Sequence, residues 1–254
     1  MHILVTNDDG IQAPGLLALK QALEKIADVT VLAPARNWSA SGHVKTMHKP
    51  LRVSETTLAD GSTAMMTTGA PSDCVALAFL GIVPEPIDIV VSGINQGPNL
   101  GHDVTYSGTV TAAMEGVISG VPSIAVSLNS FSSQRFDYAA KFAARLAVRL
   151  FEEGLPPYTL LNLNVPDLPE DEIAGVMITR QGLRIYRDEL IHRLDPRDQP
   201  YYWIDGEPLE GELQEGTDEW ALENGYISIS PLELDLTAHR LIDRLRGWDL
   251  NRLQ

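Results

Sequence analysis

Two adjacent carboxylates, Asp8 and Asp9, follow a short apolar run near the start of the chain. Carboxylates held side by side repel each other, and a divalent cation placed between them removes that repulsion. Their hard oxygen atoms suit Mg²⁺, Mn²⁺ or Ca²⁺. The segment Asn-Asp-Asp-Gly is also made of ordinary turn residues, so taken alone it is equally consistent with a plain turn.

A second polar segment, residues 92–101, combines three glycines with two asparagines directly after an apolar run. Ordering several glycines is costly unless the backbone must approach something closely. Asn95 would offer a neutral carbonyl oxygen as a third ligand beside the two aspartates, and Asn99 is a candidate contact to the substrate. The alternative is a plain glycine-rich surface loop.

A third segment, Ser107-Gly108-Thr109, precedes a run of small residues that predicts a helix. The free N–H groups and the positive dipole end of a helix bind anions such as phosphate. These three residues are therefore candidate phosphate contacts. Ser107 or Thr109 could equally be only the N-cap of the helix.

Ligands of open α/β sheets bind at the carboxyl ends of the strands, where we expect these segments to meet. A metal held by Asp8, Asp9 and Asn95, facing a phosphate at 107–109, predicts a metal-assisted phosphoester hydrolase. The metal would polarise the phosphoryl oxygens and lower the pKa of a bound water, and the helix start would stabilise developing charge. Either that water or one of the two aspartates could attack the phosphorus.

Apolar strand-like runs alternate with helical patterns over residues 1–180. This alternation predicts a Rossmann-like α/β core, doubly wound around a mostly parallel sheet. The predicted strands are 2–6, 28–33, 64–68, 88–92, 122–128 and 158–165, and the predicted helices are 14–26, 71–80, 107–119 and 135–153.

Residues 181–254 differ in texture and predict a C-terminal extension rather than an independent domain. A polar β-hairpin that carries Tyr201, Tyr202 and Trp203 cannot bury itself, so we expect it to pack on another subunit. The predicted parts are a hairpin within 181–203, an exposed loop at 206–219, a strand at 226–231 and a helix at 237–248.

The chain has 254 residues, with 19 Lys and Arg against 34 Asp and Glu, which gives a net charge of −15. Such a charge disfavours a nucleic-acid polymer as partner. Cys74 is the single cysteine, so no intramolecular disulfide can form, which fits a reducing compartment. Neither a signal peptide nor a membrane-length apolar segment is evident. We therefore expect a cytoplasmic protein.

Several motifs together resemble the stationary-phase survival protein SurE family, in order and over nearly the whole chain. The resemblance implies a 5′(3′)-nucleotidase that needs a divalent cation and converts nucleoside monophosphates to nucleoside and phosphate, with short polyphosphate as a further substrate. The motifs lie at 3–15, 33–42, 68–75, 91–101, 106–116 and 225–232.

The resemblance also assigns residues. It implies that Asp8, Asp9, Ser39 and Asn95 hold one cation per subunit, Mg²⁺ or Mn²⁺, with Ca²⁺ able to replace it in crystals. Ser107 is implied as the phosphate contact. From the residues alone, Ser39 could not be separated from its neighbour at position 41.

Family members form dimers or tetramers, often by exchanging the C-terminal hairpin, so a homodimer or homotetramer is implied here too. Two residues of the second-strand loop, Ala35 and Trp38, depart from the family pattern. These departures affect the substrate contacts of the loop and not its metal site. The base, the position of the phosphate and the native metal are not fixed by the sequence.

Two other classes of protein could use an acidic pair after the first strand. A phosphorylation-receiver module needs an acceptor Asp at the end of a central strand, whereas here Asp88 begins its strand and Ser92 ends it. A non-catalytic nucleotide-binding module is the other alternative. Among the histidines, only His102 is a candidate acid or substrate contact.

Overall fold

The apolar runs form the strands of one nine-stranded sheet in the computed structural model, which describes residues 1–184, 186–208 and 213–250. A separate antiparallel hairpin lies outside this sheet. The strands are β1 His2–Thr6, β2 Asp28–Pro34, β3 Val53–Thr57, β4 Thr63–Thr67, β5 Ile89–Gln96, β6 Ser123–Asn129, β7 Thr159–Pro166, β8 Gly175–Ile178, β9 Tyr186–Leu194, β10 Pro200–Pro208 and β11 Tyr226–Glu233.

The strand order of the sheet is β3-β4-β2-β1-β5-β6-β7-β11-β8. Pairing is parallel throughout except at β3–β4 and β7–β11. The chain winds outward in one direction through β2 and in the other through β5, so the order reverses between β1 and β5. A reversal of this kind opens a crevice at the carboxyl ends of the two strands.

Helices cover both faces of the sheet and explain why its central strands are apolar without alternation. Ile3 and Val5 of β1 pack in one cluster with α1 and α4, whereas Leu4 faces the opposite cluster, which includes α2 and α3. The helices are α1 Pro14–Leu23, α2 Pro71–Leu77, α3 Gly108–Ile118, α4 Asp137–Glu153, α5 Asp218–Glu223 and α6 His239–Arg246.

The predicted fold class is confirmed, and the differences lie mostly at the sheet edges. Strands β3 and β8 were not predicted, because β3 is largely polar and β8 has only four residues. Helix α5 occupies part of the segment expected to be a loop. Helix α2 ends at Leu77 and continues as a π-helical turn to Ile82.

Strand β11 continues to Glu233, two residues beyond the predicted strand at 226–231. Proline cannot donate a ladder hydrogen bond and is tolerated where one side of a strand is unpaired. The neighbour β8 pairs with β11 only as far as Ile229, so Pro231 meets β7 alone. The segment after residue 180 thus contributes β11 to the main sheet.

The predicted hairpin is present as β9 and β10, five residues further along the chain than expected. Its turn is stabilised by Asp195, whose carboxylate accepts bonds from the backbone N–H groups of Arg197 and Gln199. Among the helices of the described ranges, none has the length and apolar character required to span a membrane.

Helix α1 approaches β5 very closely at Gly15. The point of contact on β5 is Ile94, the residue before the candidate ligand Asn95. A Cβ atom on Gly15 would lie 2.2 Å from the carbonyl oxygen of Ile94. Glycine therefore sets the distance between this helix and the strand that carries Asn95.

We expect Gly15→Ala to lower the free energy of unfolding by about 3 kcal/mol, because backbone must move to admit the methyl group. Gly247→Ala is a matched control, since its nearest neighbour would be 3.4 Å away. Equilibrium denaturation with urea measures both. Equal midpoints for the two variants would contradict this account.

Candidate functional site

Asp8 follows β1 in the chain, two residues after Thr6, and its buried side chain packs against the first turn of α3. Its carboxylate accepts a hydrogen bond from the hydroxyl of Thr109, itself fully buried. A Cβ atom on Gly108 would lie 2.7 Å from the Cβ of Asp8, so glycine at that position allows the carboxylate to approach the helix. The first turn of α3 therefore holds Asp8 in place.

Asp9 is half-buried and bonded to two different segments. Its Oδ2 accepts a hydrogen bond from the backbone N–H of Gln96 at 3.2 Å, and its Oδ1 accepts one from the Asn37 amide at 3.4 Å. Gln96 adjoins Asn95, and Asn37 lies two residues before Ser39. Asp9 is thus bonded both to the end of β5, which carries Asn95, and to the loop after β2, which carries Ser39.

The acidic pair lacks a compensating charge. Burial raises the pKa of Asp8, although the Thr109 hydrogen bond opposes that shift. Burial and then repulsion by Asp8 raise the pKa of Asp9 to about 6. Across the described residues, no Lys, Arg or His nitrogen lies within 4.0 Å of either carboxylate. The pair therefore carries negative charge that a bound cation would neutralise.

Ser39 belongs to the loop after β2, which is fixed to the site by its backbone. The N–H of Trp38 donates to the carbonyl of Asp8 at 2.8 Å, and the N–H of Ser39 donates to the Asn37 side chain at 2.7 Å. Ser39 lines the site cavity, whereas the hydroxyl of Ser41 is buried without a partner. The structure therefore separates the two serines, which the pattern of residues could not.

The far part of the same loop is anchored to α3 by Glu115. This buried carboxylate accepts bonds from His43 Nε2 at 3.2 Å and from Lys45 Nζ at 3.1 Å. The hydrogen bond from His43, followed by the contact with Lys45, holds the pKa of Glu115 below its ordinary value. The loop with Ser39 is thus held at both ends.

Asn95 and Asn99 are oriented by hydrogen bonds to their amide nitrogens. Asn95 Nδ2 donates to the backbone carbonyl of Gly97 at 2.7 Å, so the side-chain oxygen of Asn95 points away from Gly97. Asn99 Nδ2 donates to Ser127 Oγ at 2.8 Å, and its backbone N–H donates to Asn164. Asn95 follows a register shift in β5, which turns the strand end toward the crevice.

One cavity of about 530 Å³ collects most of these side chains, a size within the range of small-molecule sites. It opens at the β1–β5 reversal, as expected for a doubly wound sheet. The lining residues are Asp8, Ser39, Ala40, Asn95, Gln96, Pro98, Asn99, Asp103, Tyr106, Ser107, Phe131 and Arg184.

Of the residues singled out in the sequence, Ser107 lines the cavity, and Gly108, Thr109, His102 and Trp38 do not. Gly108 and Thr109 do not line the cavity, because the first turn of α3 is turned toward Asp8. Ser107 lines it and is also the N-cap, accepting from the N–H of Val110 at 3.1 Å. His102 is exposed outside the cavity, and Trp38 lies beneath the guanidinium of Arg36 at 4.9 Å.

The donor set fits a hard divalent cation. Two carboxylates, an amide oxygen and a hydroxyl are the oxygen ligands that Mg²⁺ and Mn²⁺ accept. No group of three or more His, Cys, Asp or Glu with metal-site geometry occurs in the described part of the chain. The mixed oxygen set around Asp8 and Asp9 is therefore the candidate cation site.

The sequence did not reveal several residues that contact the site in the folded chain. Thr109 was considered as a phosphate contact and not as the partner of Asp8. Phe131 and Arg184 line the cavity, yet each occurs in a stretch without a recognisable motif, and Tyr106 lies at the start of a motif but was not named as a site residue. Only the exposed aromatic character of Phe131, in a polar loop, was a usable signal.

The fold and the site together define a doubly wound α/β protein with a polar cavity and a candidate oxygen-ligand site at its switch point. A family model described as Survival protein SurE matches residues 3–188. The chain belongs to this SurE family, which confirms the resemblance found in the sequence.

Relatives of similar length agree with this assignment. A protein named 5′-nucleotidase SurE from Chloroflexus aggregans is 53% identical over 98% of this chain and 99% of its own. A protein of the same name from Herpetosiphon aurantiacus is 52% identical over 96% and 97%. The crystal structure of the SurE protein from Aquifex aeolicus superposes with a TM-score of 0.85, at 42% identity over 97% of this chain and 99% of that one.

The raised pKa of Asp9 predicts a pH-dependent stability of the metal-free protein. The folded state binds this proton more tightly than the unfolded chain, so the stabilisation is present at low pH and is lost as the pH rises through about 6. In chelator, we expect Asp9→Asn to stabilise the protein by about 1 kcal/mol at pH 8, allowing for partial solvent screening, and by less at pH 5.

Thermal unfolding at the two pH values measures the effect, as a Tm increase of about 2–4 °C at pH 8. Asp28→Asn, at an exposed position at the other end of the sheet, is the control and should change Tm little. A variant at position 9 that is less stable than the wild type at pH 8 would contradict the electrostatic account.

Proposed function

We propose that this chain is a divalent-metal-dependent 5′-nucleotidase, which hydrolyses nucleoside monophosphates to nucleoside and phosphate. The observation that carries the proposal is an acidic pair with no basic partner among the described residues: Asp8 is buried and lines a nucleotide-sized cavity at the switch point, and its neighbour Asp9 is half-buried. The activity in the names of the two relatives supports it. Nucleoside 3′-monophosphates and short polyphosphate are included as further substrates.

The residues divide into two groups by what they would bind. Asp8, Asp9, Ser39 and Asn95 would hold one Mg²⁺ or Mn²⁺ per subunit, and that cation supplies polarisation of the phosphoryl oxygens when bound. Ser107, at the N-terminus of α3, would bind the phosphate.

Asn99, which also lines the cavity, would contact the substrate. The backbone N–H groups of Gly108 and Thr109 donate to the carboxylate of Asp8. They would still add positive potential near the phosphate, because they belong to the N-terminus of α3. Thr109 positions Asp8 through its hydroxyl.

The identity of the nucleophile follows from which group can reach the phosphorus. Asp8 lines the cavity but is held by Thr109 and by the helix start, whereas Asp9 lies outside the lining and is bonded to Gln96 and Asn37. Both carboxylates are thus already fixed by the protein. We infer that both serve as ligands and that water is the nucleophile.

The position of Asp88 argues against the alternative of a phosphorylation receiver, which needs an acceptor Asp at the carboxyl end of a central strand. Asp88 precedes β5 and accepts a hydrogen bond from the backbone N–H of His2 at 2.8 Å, at the amino ends of the strands. Asp88 therefore lies at the opposite end of the strands from Asp8 and Asp9. A non-catalytic nucleotide-binding module is separated by the assay below.

Removing either carboxylate tests the activity. We expect Asp8→Asn and Asp9→Asn each to lower kcat/KM for adenosine monophosphate by at least about 100-fold. The reason is that each variant would lose a ligand of the cation that stabilises charge on the phosphoryl oxygens. Asp28→Asn is the control for loss of a carboxylate elsewhere. Hydrolysis is followed as phosphate release with Mn²⁺ or Mg²⁺, with p-nitrophenyl phosphate as a second substrate.

Chelator should abolish the activity of the wild type, and added Mn²⁺ or Mg²⁺ should restore it. Full activity in either Asp variant, or activity that withstands the chelator, would overturn the assignment. Absence of turnover with every metal, together with nucleotide binding, would favour the binding module. A panel of nucleoside 5′- and 3′-monophosphates with several metals then identifies the preferred substrate.

We further propose a cytoplasmic homodimer or homotetramer assembled through the hairpin β9–β10. The hairpin exposes large apolar side chains, with Leu190 64% exposed, Trp203 62% exposed and Ile204 82% exposed. Leu190 and Ile204 are cross-strand partners, so their exposed area is continuous. An isolated two-stranded hairpin is marginal in water, and a second copy would bury this surface.

We expect the double variant Trp203→Ser with Ile204→Ser to lower the molecular mass in solution to that of a smaller assembly. The physical reason is loss of the apolar contact between subunits. Light scattering after size exclusion measures the mass, and Leu80→Ser, which alters an equally exposed side chain far from the hairpin, is the control. An unchanged mass, or a monomeric wild type, would argue against assembly through the hairpin.

A further inference from the structure

A benzene ring forms one wall of the cavity that contains Asp8. Phe131 follows β6 in a short polar loop and is 76% exposed, yet its side chain lines the same space as Asp8, Asn95 and Ser107. Exposing this much apolar surface costs free energy in water unless a ligand covers it. The ring also has no part in the cation site or the phosphate site described above.

The ring is held in position before any ligand arrives. A Cβ atom on Gly97, whose φ is +113°, would lie 2.4 Å from the Cε1 atom of Phe131, so the glycine makes room for the ring. The Gln96 amide donates to the carbonyls of Phe131 at 3.0 Å and of Ser133 at 3.3 Å. These contacts fix the loop to β5, and little conformational freedom is left to lose on binding.

The loop is also closed on itself. Ser130 Oγ accepts hydrogen bonds from the N–H groups of Ser132 at 3.4 Å and of Ser133 at 3.0 Å, and the Ser133 hydroxyl donates to Asp167 at 2.9 Å. Arg135 adds an ion pair to the same Asp167 at 3.0 Å. Between β6 and α4, Phe136 is buried in the core, whereas Phe131 is exposed, so these polar contacts hold one exposed ring in position.

We propose that Phe131 is the platform on which the base of the bound nucleoside monophosphate stacks, an inference that rests on the proposed function. A flat aromatic base matches the face of a fixed ring, and base–aromatic stacking is a strong and sequence-tolerant contact. The cavity is large enough for a nucleotide, with its phosphate at the Asp8 and Ser107 side. Phe131 therefore contributes affinity for the part of the substrate that does not react.

Stacking predicts the kind of specificity. Every base has a π-face, so a platform of this type accepts all four bases and favours the larger purine rings. Binding energy from the base raises kcat/KM for nucleotides over phosphate esters that lack one. The ratio of kcat/KM for adenosine monophosphate to that for ribose 5-phosphate isolates this contribution.

The experiment compares wild type, Phe131→Ala and Phe131→Trp with Mn²⁺. We expect Phe131→Ala to lower that ratio roughly 10-fold, and Phe131→Trp to retain it within about 2-fold. Phe151→Ala removes a ring that is 50% exposed at the end of α4 and is the matched control, with an unchanged ratio. A ratio for Phe131→Ala equal to that of the wild type would overturn the proposal.

A binding measurement separates this proposal from the proposed function. Calorimetric titration of the Mn²⁺-loaded protein with adenosine monophosphate and with ribose 5-phosphate should show a roughly 10-fold selective weakening in Phe131→Ala, even if no turnover is seen. Equal affinities of wild type and variant, or a wild type that binds no adenosine monophosphate, overturn the stacking. A changed molecular mass for Phe131→Ala would instead assign the ring to a subunit contact and overturn it as well.

Discussion

The burial of two adjacent carboxylates is the constraint around which the rest of the molecule is arranged. Desolvation and mutual repulsion both oppose the charged form, which is why the pKa of Asp9 rises to about 6. The protein offsets part of this cost with the Thr109 hydroxyl, the first turn of α3 and the backbone N–H of Gln96. The remaining charge has no basic partner in the described part of the chain, and on the proposed assignment a cation would supply one.

The fold makes that arrangement rigid by placing each ligand on an element fixed from two sides. Strand β1 is covered on both faces, α1 is pressed against β5 at Gly15, and Gly108 brings α3 against Asp8. The more exposed loop with Ser39 is fixed by Asp8 at one end and by Glu115 at the other. Close packing thus converts a repulsive pair into a preformed site, since interiors of this density do not deform continuously.

The fold class and the polar groups at the strand ends can be predicted from the sequence, because both depend on patterns within short segments of the chain. Continuous apolar runs identify strands buried on two faces, and Asp8 or Asn95 stands directly after such a run. Edge strands such as β3 carry no apolar pattern, so they were not predictable. The pairing of Thr109 with Asp8 joins residues 101 positions apart, and the fit of Phe131 against Gly97 depends on a glycine φ of +113°. Contacts of this kind exist only in the folded chain.

The net charge of −15 at first conflicts with an anionic substrate, and the geometry resolves the conflict. Repulsion from the whole surface grows with the charge of the ligand, so a nucleic-acid polymer is opposed along its length. A nucleoside monophosphate brings only one phosphate, which a single cation and one helix N-terminus can neutralise locally. An uncharged base then adds affinity by stacking without any electrostatic cost. On the proposed assignment, the acidic surface and the aromatic wall act together to favour small nucleotides over polymers.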